Sequence, residues 1–142
     1  MEKLEQIVFY SLDKAIKSYR QMAQKNINKE NIDITIDQWL LLTTIKNNPD
    51  ATQQIIAANV FKDLASITRM IEILVKKEIL TRDFHPEDRR RFSLNVTTKG
   101  EQILTDLEPI IRSNRSKALG GISPEEIETL KTLLNRIVRN CK

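Results

Sequence analysis

The side chains of this sequence that can do chemistry are of the binding kind, not the bond-making kind. Ser66, Thr68 and Arg69 fall within four residues, directly after Asp63, Leu64 and Ala65. Further on, Asp88, Arg89, Arg90 and Arg91 run consecutively behind Pro86 and Glu87. Hydroxyls and guanidinium groups at such density can donate to phosphate oxygens and to base edges. A single histidine, His85, provides no ligand set for a metal. A single cysteine, Cys141, cannot form an intramolecular disulfide. No Gly-rich phosphate loop and no nucleophile motif occurs, which argues against an enzyme and leaves no cofactor to expect. His85 reads as a solvated loop residue, and Cys141 as a small apolar filler at the end of the last helix.

The charge pattern agrees with a polyanion partner. The chain of 142 residues carries a net charge of +4, and most of the surplus sits in the middle third. Residues 62–100 hold nine Lys/Arg against six Asp/Glu, whereas residues 1–61 are balanced at seven each. At 40% hydrophobic and 30% charged residues the composition is that of a globular domain. No apolar run approaches the ~20 residues that a membrane span needs. The first residues carry acid and lack an apolar signal core, so a reducing cytoplasm is expected.

The elements that must position these residues can be read from periodicity and caps. Apolar residues at three- and four-residue steps predict a first helix over about Glu2–Asn26. Thr35 with Gln38 three residues on is a capping box for a second helix, stopped at Asn47-Asn48-Pro49-Asp50. Thr52 opens a short helix to about Ala58; Asp63 opens another to about Lys77. Two short helices about a tight turn form a helix-turn-helix. Strands over Ile79–Phe84 and Arg91–Val96, around the polar turn over residues 85–89, make a wing. A long helix follows over about Lys99–Ala118, with a kink expected at Pro109. Ser123-Pro124-Glu125-Glu126 starts the last helix. The fold class is mainly α, with a two-stranded β-wing. The reading is of one domain over 1–142: a winged helix over 35–98, with dimerisation helices over 1–30 and 99–142. The apolar stripes of the outer helices exceed what one small domain can cover, which predicts a homodimer.

From Thr35 to Gly100 the sequence resembles the MarR family of winged-helix regulators. Thr52 to Arg69 matches the helix-turn-helix without a gap, and Asp88-Arg89-Arg90 followed by Val96-Thr97-Thr98-Lys99-Gly100 is the sharpest match. Phe61 and Glu78 depart from it, standing where many members have Gly; both positions thereby lose a residue that easily takes positive φ. Val96 stands where Leu is usual.

The resemblance implies a transcription regulator, of repressor type, bound to double-stranded DNA at an inverted repeat. Asp63, Leu64, Ala65, Ser66, Thr68 and Arg69 would face the major groove, with Arg69 on either a guanine edge or a phosphate. Asp88 would orient the wing, Arg90 would enter the minor groove, and Arg89 and Arg91 would lie on flanking phosphates. It also implies a small aromatic effector between the dimer helices and the winged helix, for which Tyr10, Tyr19, Met22 and Trp39 are the candidates. The bland reading of Tyr19 and Trp39 is core. The alternative function is a winged helix used for protein contacts without DNA.

Overall fold

The computed structural model describes residues 1–84, 87 and 92–142. Apart from residue 87, the turn between the expected strands, His85 included, lies outside the described residues. A 3-10 turn over Leu4–Gln6 leads into helices α1 (Val8–Lys29), α2 (Ile36–Asn47), α3 (Gln53–Val60) and α4 (Leu64–Lys76). Strands β1 (Leu80–Phe84) and β2 (Phe92–Val96) follow, then helices α5 (Thr98–Ala118) and α6 (Pro124–Asn140).

The first helix begins later and ends later than its periodicity suggests. Ile7 is extended, at φ −90° and ψ 118°, and offers no side-chain cap, so the chain breaks before α1. At the other end Ile27 is only 1% exposed, and its place in the core carries the helix through the polar stretch after Asn26. Asn31 then turns the chain at φ 58°, a conformation that asparagine tolerates better than most residues. Gln24 fastens this corner. Its amide donates to the carbonyl of Ile34, and its oxygen accepts from the N–H of Ile36, both at 3.0 Å.

The local caps form as their spacing requires. The Thr35 hydroxyl accepts from the Gln38 N–H at 3.1 Å, and the Gln38 side chain accepts from the Thr35 N–H at 3.0 Å. Ser123 and Glu126 form the same reciprocal box at α6, while Thr52, Asp63 and Thr97 cap α3, α4 and α5 by accepting the N–H three residues on. The core gathers Leu41, Leu42 and Ile45 of α2, Ile56 of α3, and Ile67, Ile71 and Leu74 of α4. Leu80, Leu94 and Leu107 close it from the strands and α5. Burial of Val60 extends α3 two residues past the expected end. Trp39 and Tyr19, read as core, are half-buried; Trp39 packs on the core edge.

The strands pair antiparallel, from Leu80 opposite Val96 to Phe84 opposite Phe92. Ile79 is not part of β1: Glu78 takes φ 62°, and the Ile79 N–H closes back on the Leu74 carbonyl at 2.9 Å. The start of α5 is locked to this corner. The Thr97 hydroxyl donates to the Glu78 carbonyl at 2.6 Å and accepts from the Gly100 N–H at 3.0 Å. Lys99 donates to the Lys77 carbonyl at 2.8 Å. A Cβ on Gly100 would stand 2.5 Å from the Ile79 carbonyl oxygen and 2.7 Å from a Val96 methyl. The Thr97-Thr98-Lys99-Gly100 sequence therefore joins the end of α4 to the base of the wing. Helix α5 continues through Pro109, whose ring is exposed, and is not interrupted there. Among the described residues, no helix is long and apolar enough to cross a membrane.

Candidate nucleic-acid interface

Helix α4 presents one face to the core and one to solvent. Ile67, Ile71 and Leu74 point inward, and Leu64, Ala65, Arg69, Glu72, Ile73 and Lys76 point outward. Asp63 fixes the leading end, its carboxylate accepting from the Ser66 N–H at 2.7 Å. That backbone hydrogen bond, then the Ser66 side chain and more weakly the Arg69 charge, hold the Asp63 carboxyl below the usual carboxylate range. Asp63 is thus ionised and committed to the cap, where negative charge also suits the helix dipole.

Ser66 and Arg69 form a pair on the first two turns, the guanidinium donating to the hydroxyl at 3.3 Å. Arg69 is exposed and Ser66 half-buried, so the guanidinium is the more accessible donor. Thr68 is turned inward instead. Its hydroxyl donates to the Leu64 carbonyl at 2.9 Å and lies 3.5 Å from the Gln53 side chain of α3. Of the six α4 candidates, Leu64, Ala65, Ser66 and Arg69 share an outward surface, Asp63 caps it, and Thr68 braces it against α3. Asp88, Arg89, Arg90 and Arg91 lie outside the described residues.

The structure adds residues that the sequence reading passed over. Glu72, Ile73 and Lys76 continue the exposed face at three- and four-residue steps from Arg69, a signal present in the sequence. Lys62, in the turn before α4, pairs with Asp37 at the start of α2 at 3.3 Å. Asp37 also takes Arg20 of α1, so three elements meet on one carboxylate. No sequence spacing announces this, because the three residues are distant along the chain.

A cavity of about 420 Å³ opens between α2 and α5. Trp39 and Lys46 line it from α2, and Leu104, Ile111, Arg112 and Arg115 from α5. Trp39 is the one effector candidate that it contains. Tyr10 is exposed on α1, and Tyr19 and Met22 are half-buried there; none of the three lines this cavity or the smaller one between α1 and α2.

Residues 34–92 match the family model described as the MarR family. The chain is 32% identical over 124 residues to a Thauera aromatica protein described as a transcriptional regulatory protein for the hcr operon, covering 87% of this chain and 74% of that one. Its fold is similar to that of a Pseudomonas aeruginosa structure described as a transcriptional regulator, at 25% identity and TM-score 0.83, covering 95% and 99% of the two chains. It is also similar to BpsR of Bordetella bronchiseptica, a protein whose DNA binding is regulated by 6-hydroxynicotinic acid. There the identity is 21%, the TM-score 0.82 and the coverage 92% and 98%. A capped helix-turn-helix, a two-stranded wing locked to its base and long helices on either side thus come together with this sequence kinship, and the chain belongs to the MarR family of DNA-binding transcriptional regulators.

Proposed function

We propose that the chain acts in the cytoplasm as a homodimeric repressor that inserts one α4 from each protomer into successive major grooves of an inverted repeat. The observation that carries this reading is the outward Ser66–Arg69 pair on the first turns of a helix whose leading end is fixed by Asp63. B-DNA's major groove admits one α-helix, and its first turns reach base edges. The wing residues Arg89, Arg90 and Arg91, with Asp88 orienting them, supply contacts to phosphates and to the minor groove, where a narrow A·T-rich stretch concentrates negative potential.

Dimerisation follows from apolar surface that the single chain leaves open. Leu4, Val8, Phe9 and Ile16 at one end of the chain, and Leu130, Leu133 and Val138 of α6, are exposed. Helix α6 contains no buried residue. Faces of this kind at both ends of the chain suit a two-fold interface.

The cavity between α2 and α5 suits an aromatic acid: Trp39, Leu104 and Ile111 offer apolar walls, and Arg115 offers positive charge beside Lys46, paired with Glu101, and Arg112, paired with Glu108, which also lines the cavity. The regulation of BpsR by 6-hydroxynicotinic acid supports a ligand of this class. Such a ligand weakens DNA binding only by favouring the conformation that does not fit the operator.

The test is affinity for an operator enriched from a random duplex pool, measured across a salt series. Arg69→Ala with Ser66→Ala should flatten discrimination between operator variants by about 1–3 kcal/mol if Arg69 reads a base. If Arg69 holds a phosphate, the same variant should lower affinity uniformly and reduce the salt slope by about one. Unchanged affinity in a folded variant would rule out α4 as the reading helix.

A further inference from the structure

Phe61 is placed as no requirement of the fold explains. The turn after α3 needs a left-handed residue, because the Lys62 N–H must close back on the Ala57 carbonyl, at 3.1 Å, for the chain to enter α4. Phe61 supplies it at φ 61°, a conformation that an L side chain resists and glycine adopts freely. Its ring gives the core nothing in return, being 87% exposed. Glu78 takes the same conformation, but its charged side chain is well solvated in water; a benzyl group is not.

The ring also stands on a firm base. Lys62 next to it is held by Asp37, and Asp63 two residues on is held in its cap. One further residue brings Leu64, 45% exposed, onto the leading turn of α4. Two apolar side chains three positions apart are thus presented from a fixed turn, continuous with the surface that carries Ser66 and Arg69. In a major groove, the apolar feature that distinguishes one base pair from another is the thymine 5-methyl group.

We propose that Phe61, together with Leu64, reads the 5-methyl group of a thymine in each operator half-site, and so sets specificity. This rests on the placement of α4 in the major groove argued above. The test uses the full-length dimer and the enriched operator, with each thymine replaced in turn by deoxyuridine, which removes only the methyl. Wild-type protein should lose about four-fold in affinity at one thymine per half-site, the worth of one buried methyl group. Phe61→Gly, which removes the ring from both half-sites, should melt at a higher temperature, lose about sixteen-fold on the thymine operator, and show no further loss at that deoxyuridine. Its salt slope should not change, since no charge is removed. Phe61→Leu, which keeps apolar bulk, should retain most of the thymine preference. The proposal is overturned if Phe61→Gly binds as tightly as wild type. It is equally overturned if the variant weakens thymine and deoxyuridine duplexes alike, which would place the ring on deoxyribose. A changed oligomeric state would assign the ring to a protein contact and overturn it too. Wild-type protein that binds no duplex at all would overturn the placement of α4 as well, whereas the other failures leave that placement standing.

Discussion

Lys62 and Asp37 are paired at 3.3 Å across the gap between the turn before α4 and the first turn of α2. The Asp37 side chain retains 23% of its exposure and accepts Arg20 of α1 as well. A carboxylate shared by two cations from separate elements ties those elements in a way that neither pair alone would. Asp37→Asn keeps the shape and removes the charge. It should lower stability by about 1 kcal/mol, the upper end for a partly exposed pair. Thermal unfolding checks this as a fall of roughly 3 °C. An equal fall in Lys62→Met and in the double variant would show that the Lys62–Asp37 pair carries the effect.

Gly100→Ala should be among the most damaging small substitutions. The added methyl meets a carbonyl oxygen at 2.5 Å, and backbone cannot yield as a side-chain tip can. A cost of about 1–3 kcal/mol is expected from overpacking of this kind. Denaturant unfolding should show a lower midpoint at unchanged slope. DNA affinity should fall further than stability, because the clash lies where the wing joins α4.

Glu78→Gly should do the opposite. The residue is exposed at φ 62°, and left-handed backbone costs an L residue roughly 1–2 kcal/mol. Part of the gain is offset by glycine's freedom in the unfolded chain, leaving about 0.5–1 kcal/mol of stabilisation. Asn31→Gly, at a similar φ of 58°, should gain less, because asparagine already tolerates that region. Calorimetry on both variants separates the two cases; an equal gain would contradict this explanation.

The Asp63 cap should show its charge at low pH. Its carboxyl is depressed in the folded protein, chiefly by the Ser66 N–H. The stabilisation is therefore complete above the unfolded value of about 3.9 and is lost as pH falls through the folded one. Asp63→Ala should lower the unfolding midpoint by an amount unchanged between pH 7 and pH 5. Below about pH 4 the gap between variant and wild type should narrow. A gap that grows on acidification would mean that the carboxylate is not the capping form.

Trp39 is the chain's only tryptophan, so its fluorescence reports on the cavity between α2 and α5. Titration with hydroxylated nicotinic or benzoic acids should quench it saturably. Arg115→Ala should weaken that titration about ten-fold, the loss of one charge-assisted hydrogen bond. Saturable quenching unaffected by Arg112→Ala and Arg115→Ala would place the ligand elsewhere.

What the sequence revealed was whatever depends on near neighbours. The caps at Thr35, Asp63 and Ser123 are contacts over three residues, and each forms as its spacing requires. The resemblance also marked Phe61 and Glu78 as positions suited to glycine, and both are left-handed. What escaped was set by distant partners. Ile27 lengthens α1 because of the core that it enters, and Thr68 lies against Gln53 of α3, fifteen residues away in the chain. The cavity draws its walls from α2 and α5, far apart in the chain, so only Trp39 of the aromatic residues singled out in the sequence lines it.

Gln24 grips the backbone on both sides of Thr35, accepting from Ile36 and donating to Ile34. Mechanically this makes α1 a lever and the corner at Thr35 its clamp. Gln24 lies about 24 Å along the helix from its first residue, Val8, so a tilt of about 5° about that end sweeps roughly 2 Å at the clamp. Gln24 ties α1 to the corner at Thr35, and Asp37 ties Arg20 of α1 to Lys62 just ahead of α4, so such a sweep is passed along both connections. In the proposed dimer, whose two α4 helices would sit about 34 Å apart to fit one turn of DNA, a displacement of that size would throw them out of step.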